Sequence, residues 1–342
     1  MYLTYAAPRG HALMERALYL PRSWADDPDR CDGARIADYK RGFATKPTLA
    51  AALIARAVEA KVPAAWVAGD EVYGADPRLR AAIRGHGMGY VLAVAGNRRV
   101  PTAAGAIRVD ALPAQLGTRA WQNYSAGAGS HGHRFYSWAW ITLRPEDDHD
   151  TGHHHLLIRR NDRTGEHAYL RCYSPRPVPL RTLVSVAGQR RRIEESFQAA
   201  KGLTGLDQHQ VRRWTSWHRW TTLAMLAHAF LAVATAAQRA AHPTPTGLIA
   251  LTVNEFRRLF DALLLATRHT VATLLAWSRW RRRHQYRARE LLTFAQAADR
   301  LNVGVLTVRS WVRTEQCTVV RDGRRVRIPA PCVNGLIAKG WK

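Results

Sequence analysis

The sequence predicts an α/β fold with a small second unit at its carboxyl end. Three observations lead there. Apolar runs at residues 64–68 and 90–95 alternate with helical stretches at 45–60 and 77–84, an order that implies parallel pairing in an α/β sheet. Helical patterning dominates residues 180–289. After Arg289 the composition shifts, and residues 291–342 read as two helices, a basic hairpin and, after Pro329, a last short helix.

In chain order, Tyr2–Ala7 is apolar and aromatic and reads as a strand. Residues 8–11 read as a turn, and 17–20 as the returning strand of a hairpin. Residues 22–41, rich in Asp and Pro, read as a loop. Thr45-Lys46-Pro47 opens a helix with Leu49, Leu53, Ile54 and Ala57 inward. The strand at 64–68 ends at Gly69-Asp70-Glu71. From 98 to 179 short alternating runs (135–143, 154–160, 167–172) predict a β-rich insertion. The helices beyond are interrupted at His242-Pro243-Thr244-Pro245 and Gly247. The run 221–237 is the most apolar in the chain; it is short for a membrane span and reads as a buried core helix. Neither a membrane partner nor a leader peptide is expected.

Lys and Arg total 51 against 26 Asp and Glu, a net charge of +25 over 342 residues. That excess disfavours an ordinary metabolic enzyme and points to a polyanion, above all double-stranded DNA. Cys31, Cys172, Cys317 and Cys332 lie far apart with no CxxC pair. They are expected to be reduced thiols in a cytoplasmic, nucleoid-associated protein, not zinc ligands or a disulfide frame.

The stretch from Gln189 to Lys201 contains neither Gly nor Pro and predicts one helix. Arg190, Glu194 and Lys201 are spaced by four and seven, so they share a face. Taken alone this is a solvated, salt-bridged helix. Asp70 follows a buried strand, where open α/β sheets collect ligand-contacting residues, although by itself it is as readily a helix cap. A carboxylate there and one on a helix would give an oxygen site for Mg²⁺ or Mn²⁺. Two such ions can activate a water or a 3′-hydroxyl and stabilise the leaving oxygen in phosphodiester cleavage.

Four blocks carry a family resemblance: Leu18-Tyr19-Leu20-Pro21-Arg22-Ser23-Trp24, Gly69-Asp70-Glu71-Val72-Tyr73-Gly74, residues 193–202 (Ile193-Glu194-Glu195-Ser196-Phe197-Gln198-Ala199-Ala200-Lys201-Gly202), and residues 207–220. In this order they resemble the DDE-type insertion-sequence transposases with an RNase H-like catalytic domain, in the group whose last acid lies in an R-x3-E-x6-K signature. The likeness covers residues 1 to about 289. It implies an RNase H-like mixed sheet with a β-rich insertion, and metal-dependent cleavage and strand transfer at transposon ends. It implies that Asp70 and Glu194 are catalytic and metal-binding, and that Arg190 and Lys201 contact the backbone of the transposon end. A homodimer is compatible with it.

Two departures matter. The signature's leading Tyr would fall at Ala187. The family's first catalytic Asp precedes the strand that corresponds to Tyr2–Ala7, and Asp26, Asp27 and Asp29 lie in the following loop instead. The expectation is therefore an N-terminally truncated transposase that binds DNA with catalysis impaired. The alternative is an excisionase-like or regulatory DNA-binding protein without catalysis.

Arg212 and Arg213 precede a run in which Trp214, Trp217 and Thr221 share a helical face. The Trp residues are expected in the core and the arginines on DNA. Residues 279–287 form a denser basic run suited to a polyanion. Asp147, Asp148, His149, Asp150 and His153–His155 suggest a metal, but their spacing matches no standard zinc site. Glu195 points away from the catalytic face and reads as structural.

In the last unit, Thr293 and Gln296 have capping-box spacing, Asn302-Val303-Gly304 is a turn, and residues 306–314 form a second helix offering Thr307, Arg309, Ser310 and Arg313. Asp322-Gly323 signals a hairpin carrying Arg324 and Arg325. Helix, turn, helix and hairpin make a winged helix-turn-helix. Leu292-Thr293, residues 297–303, Thr307-Val308-Arg309 and residues 323–329 resemble the excisionase-type, MerR-like DNA-binding domain.

Overall fold

The structure, a computed structural model, describes residues 1–338 except 130–131, 146–149, 211, 266–269, 315 and 323–324. β1 (Tyr2–Ala7) and β2 (Gly10–Arg16) form an antiparallel hairpin closed at Pro8-Arg9, with Ala7 opposite Gly10. The returning strand thus comes earlier than residues 17–20. The tight turn sets the register, and the polar-looking segment from Gly10 to Arg16 buries only Leu13.

The expected loop at 22–41 holds two short helices, α1 (Arg22–Ala25) and α2 (Pro28–Gly33). Its Asp and Pro residues are helix-start signals: Asp27 accepts the N–H of Arg30, and Pro28 opens α2. Cys31, Ala34 and Ile36 pack with Leu20 against Trp214. α3 (Lys46–Glu59) is capped by Thr45 and buries Leu53 and Ile54. β3 (Trp66–Gly69), α4 (Glu71–Gly74), α5 (Pro77–Gly85) and β4 (Gly89–Val94) follow. A small hairpin, β5 (Arg99–Thr102) and β6 (Gly105–Arg108), leads to β7 (Gln122–Gly129), β8 (Gly132–Thr142), β9 (His153–Arg160) and β10 (His167–Ser174).

The main sheet has the order β3-β4-β10-β9-β8-β7. Only β3 and β4 pair in parallel; every other ladder in this sheet is antiparallel. The β-rich stretch is therefore present, and four of its strands extend the sheet begun by β3 and β4. Such a mixed sheet is compatible with an RNase H-like fold. Alternation along β4 divides the core. Val91 joins Trp138, Leu157 and Cys172 under α6 (Leu180–Gln189), while Tyr90 and Leu92 pack with Ile54, Leu79 and Ile83.

α7 (Arg192–Thr204) ends at Gly205, whose φ of 66° supplies the left-handed stop. α8 (Trp214–Ala241) lies on β2, α7 and α9 (Val253–Phe260). α8 is long and apolar enough to cross a membrane by length and composition. Only one side is buried, contrary to a wholly internal helix: Thr221, Ala224, Met225, His228, Leu231 and Thr235 point inward. Leu223, Leu226, Phe230 and Val233 are 52–68 % exposed. Beside them an open cavity of about 430 Å³ runs between Leu203, Trp220 and Phe260.

α10 (Val271–Glu290) runs directly into β11 (Leu291–Leu292). α11 (Phe294–Leu301) carries the Thr293–Gln296 capping box. α12 (Val305–Arg313), β12 (Val320–Asp322), β13 (Arg325–Pro329) and α13 (Ala330–Ala338) complete the unit, with β13 central in a three-stranded sheet. Leu292, Val308, Ile328 and Val333 form its core. Cys317 and Cys332 are joined as a disulfide, which corrects the expectation of four reduced thiols; Cys31 and Cys172 are free and buried. The fold brings the bonded pair, fifteen positions apart, to a Cα separation of 5.8 Å. The unit rests on the main sheet: Arg163 pairs with Asp299 at 3.0 Å, and its N–H donates to Asn302 Oδ1 at 3.1 Å.

Candidate active site and nucleic-acid interface

Asp70 stands at the carboxyl end of β3, exposed. Its Oδ1 accepts the N–H of Val72 at 3.0 Å, so it caps α4. Gly74 lets this turn press on β4, because a Cβ there would lie 1.9 Å from the Ala93 carbonyl oxygen. Glu194 sits in the first turn of α7, exposed, with no hydrogen-bond or ion-pair partner among the described residues. Its neighbour Glu195 is half-buried and engaged, with Arg192 Nη1 at 2.6 Å and His11 Nε2 at 3.4 Å. The other ring nitrogen of His11 lies 2.7 Å from Ser196 Oγ. Burial, and then the Arg192 charge, outweigh Glu195 and hold the His11 pKa below its ordinary value. The two adjacent carboxylates therefore differ: one has no partner among the described residues, the other ties α7 to β2.

The expected single helix across 189–201 is divided. Arg190 is the C-cap of α6, and α7 begins at Arg192, so the spaced signature straddles a junction. The cause lies in packing. A Cβ on Gly188 would come within 2.2 Å of the Ala126 carbonyl oxygen, so the end of α6 is pressed onto β7 while α7 turns toward β1 and β2. Arg190 and Lys201 are both exposed.

Arg134 on β8 was not legible in the sequence. It donates to the Ala126 carbonyl at 3.0 Å. Burial first, then nearby Arg191 and Arg192, lower its pKa, with Tyr136 and Glu195 opposing. Guanidinium groups from β8 and the α6–α7 junction thus gather beside Glu195, a density of charge suited to phosphate oxygens.

Arg212 and Arg213 are exposed ahead of α8. The Trp residues after them are structural: Trp214 packs on the α2 cluster and Trp220 Nε1 donates to the Gly205 carbonyl at 3.0 Å. On α12, Thr307, Arg309, Ser310 and Arg313 are exposed, and the Arg309 guanidinium lies 5.8 Å from the Phe294 ring centroid. Arg324 falls outside the described residues, as does the side chain of Arg325, whose backbone pairs with Asp322. Residues 147–149 also fall outside them. Asp150 is bound into the structure, with Arg84 Nε and His154 Nε2 each at 2.9 Å.

Residues 1–125 match the family model of the DDE superfamily endonucleases. No curated protein matches the chain. Asp70 lies inside the matched span; Arg190, Glu194 and Lys201 lie beyond it. The match supports a transposase-type endonuclease relationship with DNA as partner, and endonucleases of this superfamily generally use divalent metals such as Mg²⁺. Asp70 and Glu194 offer the oxygen donors Mg²⁺ prefers. Among the described residues, however, no three His, Cys, Asp or Glu side chains gather at one point, so the set does not fit a complete metal site.

Proposed function

We propose that the chain is a transposase-derived DNA-binding protein of the cytoplasm and nucleoid, whose family reaction is metal-dependent DNA cleavage and strand transfer. The observation that carries this reading is the endonuclease family match over residues 1–125, which contains Asp70 at the end of β3. Asp70 and Glu194 are the assigned carboxylates, and Arg190 and Lys201 are backbone contacts at the transposon end. Residues 1–289 form the RNase H-like part. Residues 291–342 form a winged helix-turn-helix that reads a major groove through Thr307, Arg309 and Arg313, with Arg324 and Arg325 on its wing.

A second reading, DNA binding without catalysis, is favoured by the net charge of +25, which supports binding to a polyanion whether or not the carboxylates act. One experiment separates them. The purified chain is incubated with transposon-end duplex and Mg²⁺ or Mn²⁺, and nicking and binding are measured together. Nicking lost in both Asp70→Asn and Glu194→Gln upholds the catalytic assignment. Salt-sensitive binding with no nicking upholds the second reading. Nicking that survives Asp70→Asn overturns the site.

A further inference from the structure

α10 divides its cations between two tasks. Arg281 grips the buried Glu255 with both arms, Nε to Oε2 at 2.9 Å, and Arg282 Nε donates to the Ile249 carbonyl at 3.0 Å. Ser278 is buried on the same side. That side fastens the helix to the body.

The neighbouring side is built differently. Trp277 and Trp280 are 55 % and 57 % exposed. They meet edge to face with centroids 5.6 Å apart. His284 lies parallel to Trp280, the planes within 5° and the centroids 5.5 Å apart. Spaced by three and four, the three rings make one row along the helix. Arg283, three positions after Trp280, flanks this row, and Arg279 lies one turn before Arg283, farther round the helix; both are exposed, with no hydrogen bond or ion pair among the described residues.

Tryptophan rings more than half exposed, beside guanidinium groups with no partner among the described residues, suit a ligand with aromatic faces and negative charge. An unpaired nucleic-acid strand has both. A duplex does not offer its base faces, because they are stacked inside it. We propose that the Trp277–Trp280–His284 row is a stacking platform for single-stranded nucleic acid, with Arg279 and Arg283 on its phosphates. The proposal stands on this geometry and the net charge, independently of the cleavage reading.

The test is anisotropy of labelled oligodeoxyuridylate, oligouridylate and duplex DNA on the full chain. Trp280→Ala should weaken single-strand binding by on the order of 10- to 100-fold and leave duplex binding unchanged. Trp280→Tyr, which keeps a stacking face, should recover most of the loss. The tighter of the two oligonucleotides identifies the sugar of the strand. Equal weakening of single strand and duplex, or a Trp277→Ala/Trp280→Ala double variant that binds the single strand like the parent, overturns the proposal. Both tryptophans are solvent-facing, so folding should survive, which circular dichroism checks. Single-strand binding is read without a divalent metal and without nicking, so a failure here is distinct from a failure of the nicking assay.

Discussion

His11 of β2 lies 2.7 Å from Ser196 of α7, Nδ1 to Oγ, and that contact seats the helix carrying Glu194. Glu195 closes the same arrangement from the other ring nitrogen. Neighbouring carboxylates should therefore respond differently to the same change. Glu195→Gln should cost about 1–2 kcal/mol in urea unfolding, through a weakened charged hydrogen bond. Glu194→Gln should stay within about 0.5 kcal/mol of the parent. Any metal-dependent nicking should vanish in Glu194→Gln and persist in Glu195→Gln.

Glu255 should behave as an acid-sensitive clamp. Its burial alone would raise the carboxyl pKa, but hydrogen bonds from Arg281 and Ser278, with the charges of Arg281 and Arg258, hold it below the usual glutamate value. A folded pKa below the unfolded one gives stability that is complete above about pH 5 and lost as pH falls through the folded value. Glu255→Gln should destabilise by about 3 kcal/mol near neutrality, leaving the Arg281 charge partly buried and unpaired. Parent and variant should converge in acid, as thermal unfolding from pH 7 to pH 3 would show.

His155 should drive a separate loss of stability at mildly acid pH. Burial, with His153 and His154 beside it, lowers its pKa from 6.5 to about 4, and its ring stacks on Trp140 with centroids 4.5 Å apart. The unfolded chain takes up this proton first, so the contribution is full above pH 6.5 and disappears as pH falls toward about 4. His155→Phe keeps the stack and should flatten the stability profile across that window.

Arg309 should govern sequence preference. Arg309→Ala should weaken binding to a preferred duplex by about 1–3 kcal/mol and barely affect an unrelated one, if the guanidinium reads guanine in the major groove. Competition binding on the two duplexes decides it, and equal weakening assigns Arg309 to phosphate.

What could be read from the sequence follows from how local each cause is. Thr293 with Gln296, and Asp322 near the hairpin turn, act within a few residues, and the carboxyl-terminal elements lie close to where these signals put them. Asp27 and Pro28 were equally local signals, but helices as short as α1 and α2 have too little periodicity to announce themselves. The split at Arg190 was hidden because its cause, the contact of Gly188 with Ala126, joins positions far apart in the chain. Arg134 was hidden for the same reason: one Arg on an alternating strand becomes notable only when the fold brings the α6–α7 junction to it. Asp70 was placed correctly at a strand end, although one of its oxygens already serves the helix that follows.

α8 turns Thr221, His228 and Thr235 inward and Leu223, Leu226, Phe230 and Val233 outward. The rest of the surface carries the repulsion of a chain at +25, which keeps copies apart in dilute buffer. Added salt screens that repulsion, and a kosmotropic salt such as sulfate also strengthens contact between apolar faces, while either strips the protein from DNA. Ionic strength thus acts on the molecule as a two-way selector: in dilute salt it is a dispersed polycation seeking phosphate, and in concentrated salt a released one prone to cluster. Light scattering across a salt titration should rise over the range in which DNA is lost, and Leu226→Glu should abolish the rise without moving the DNA curve.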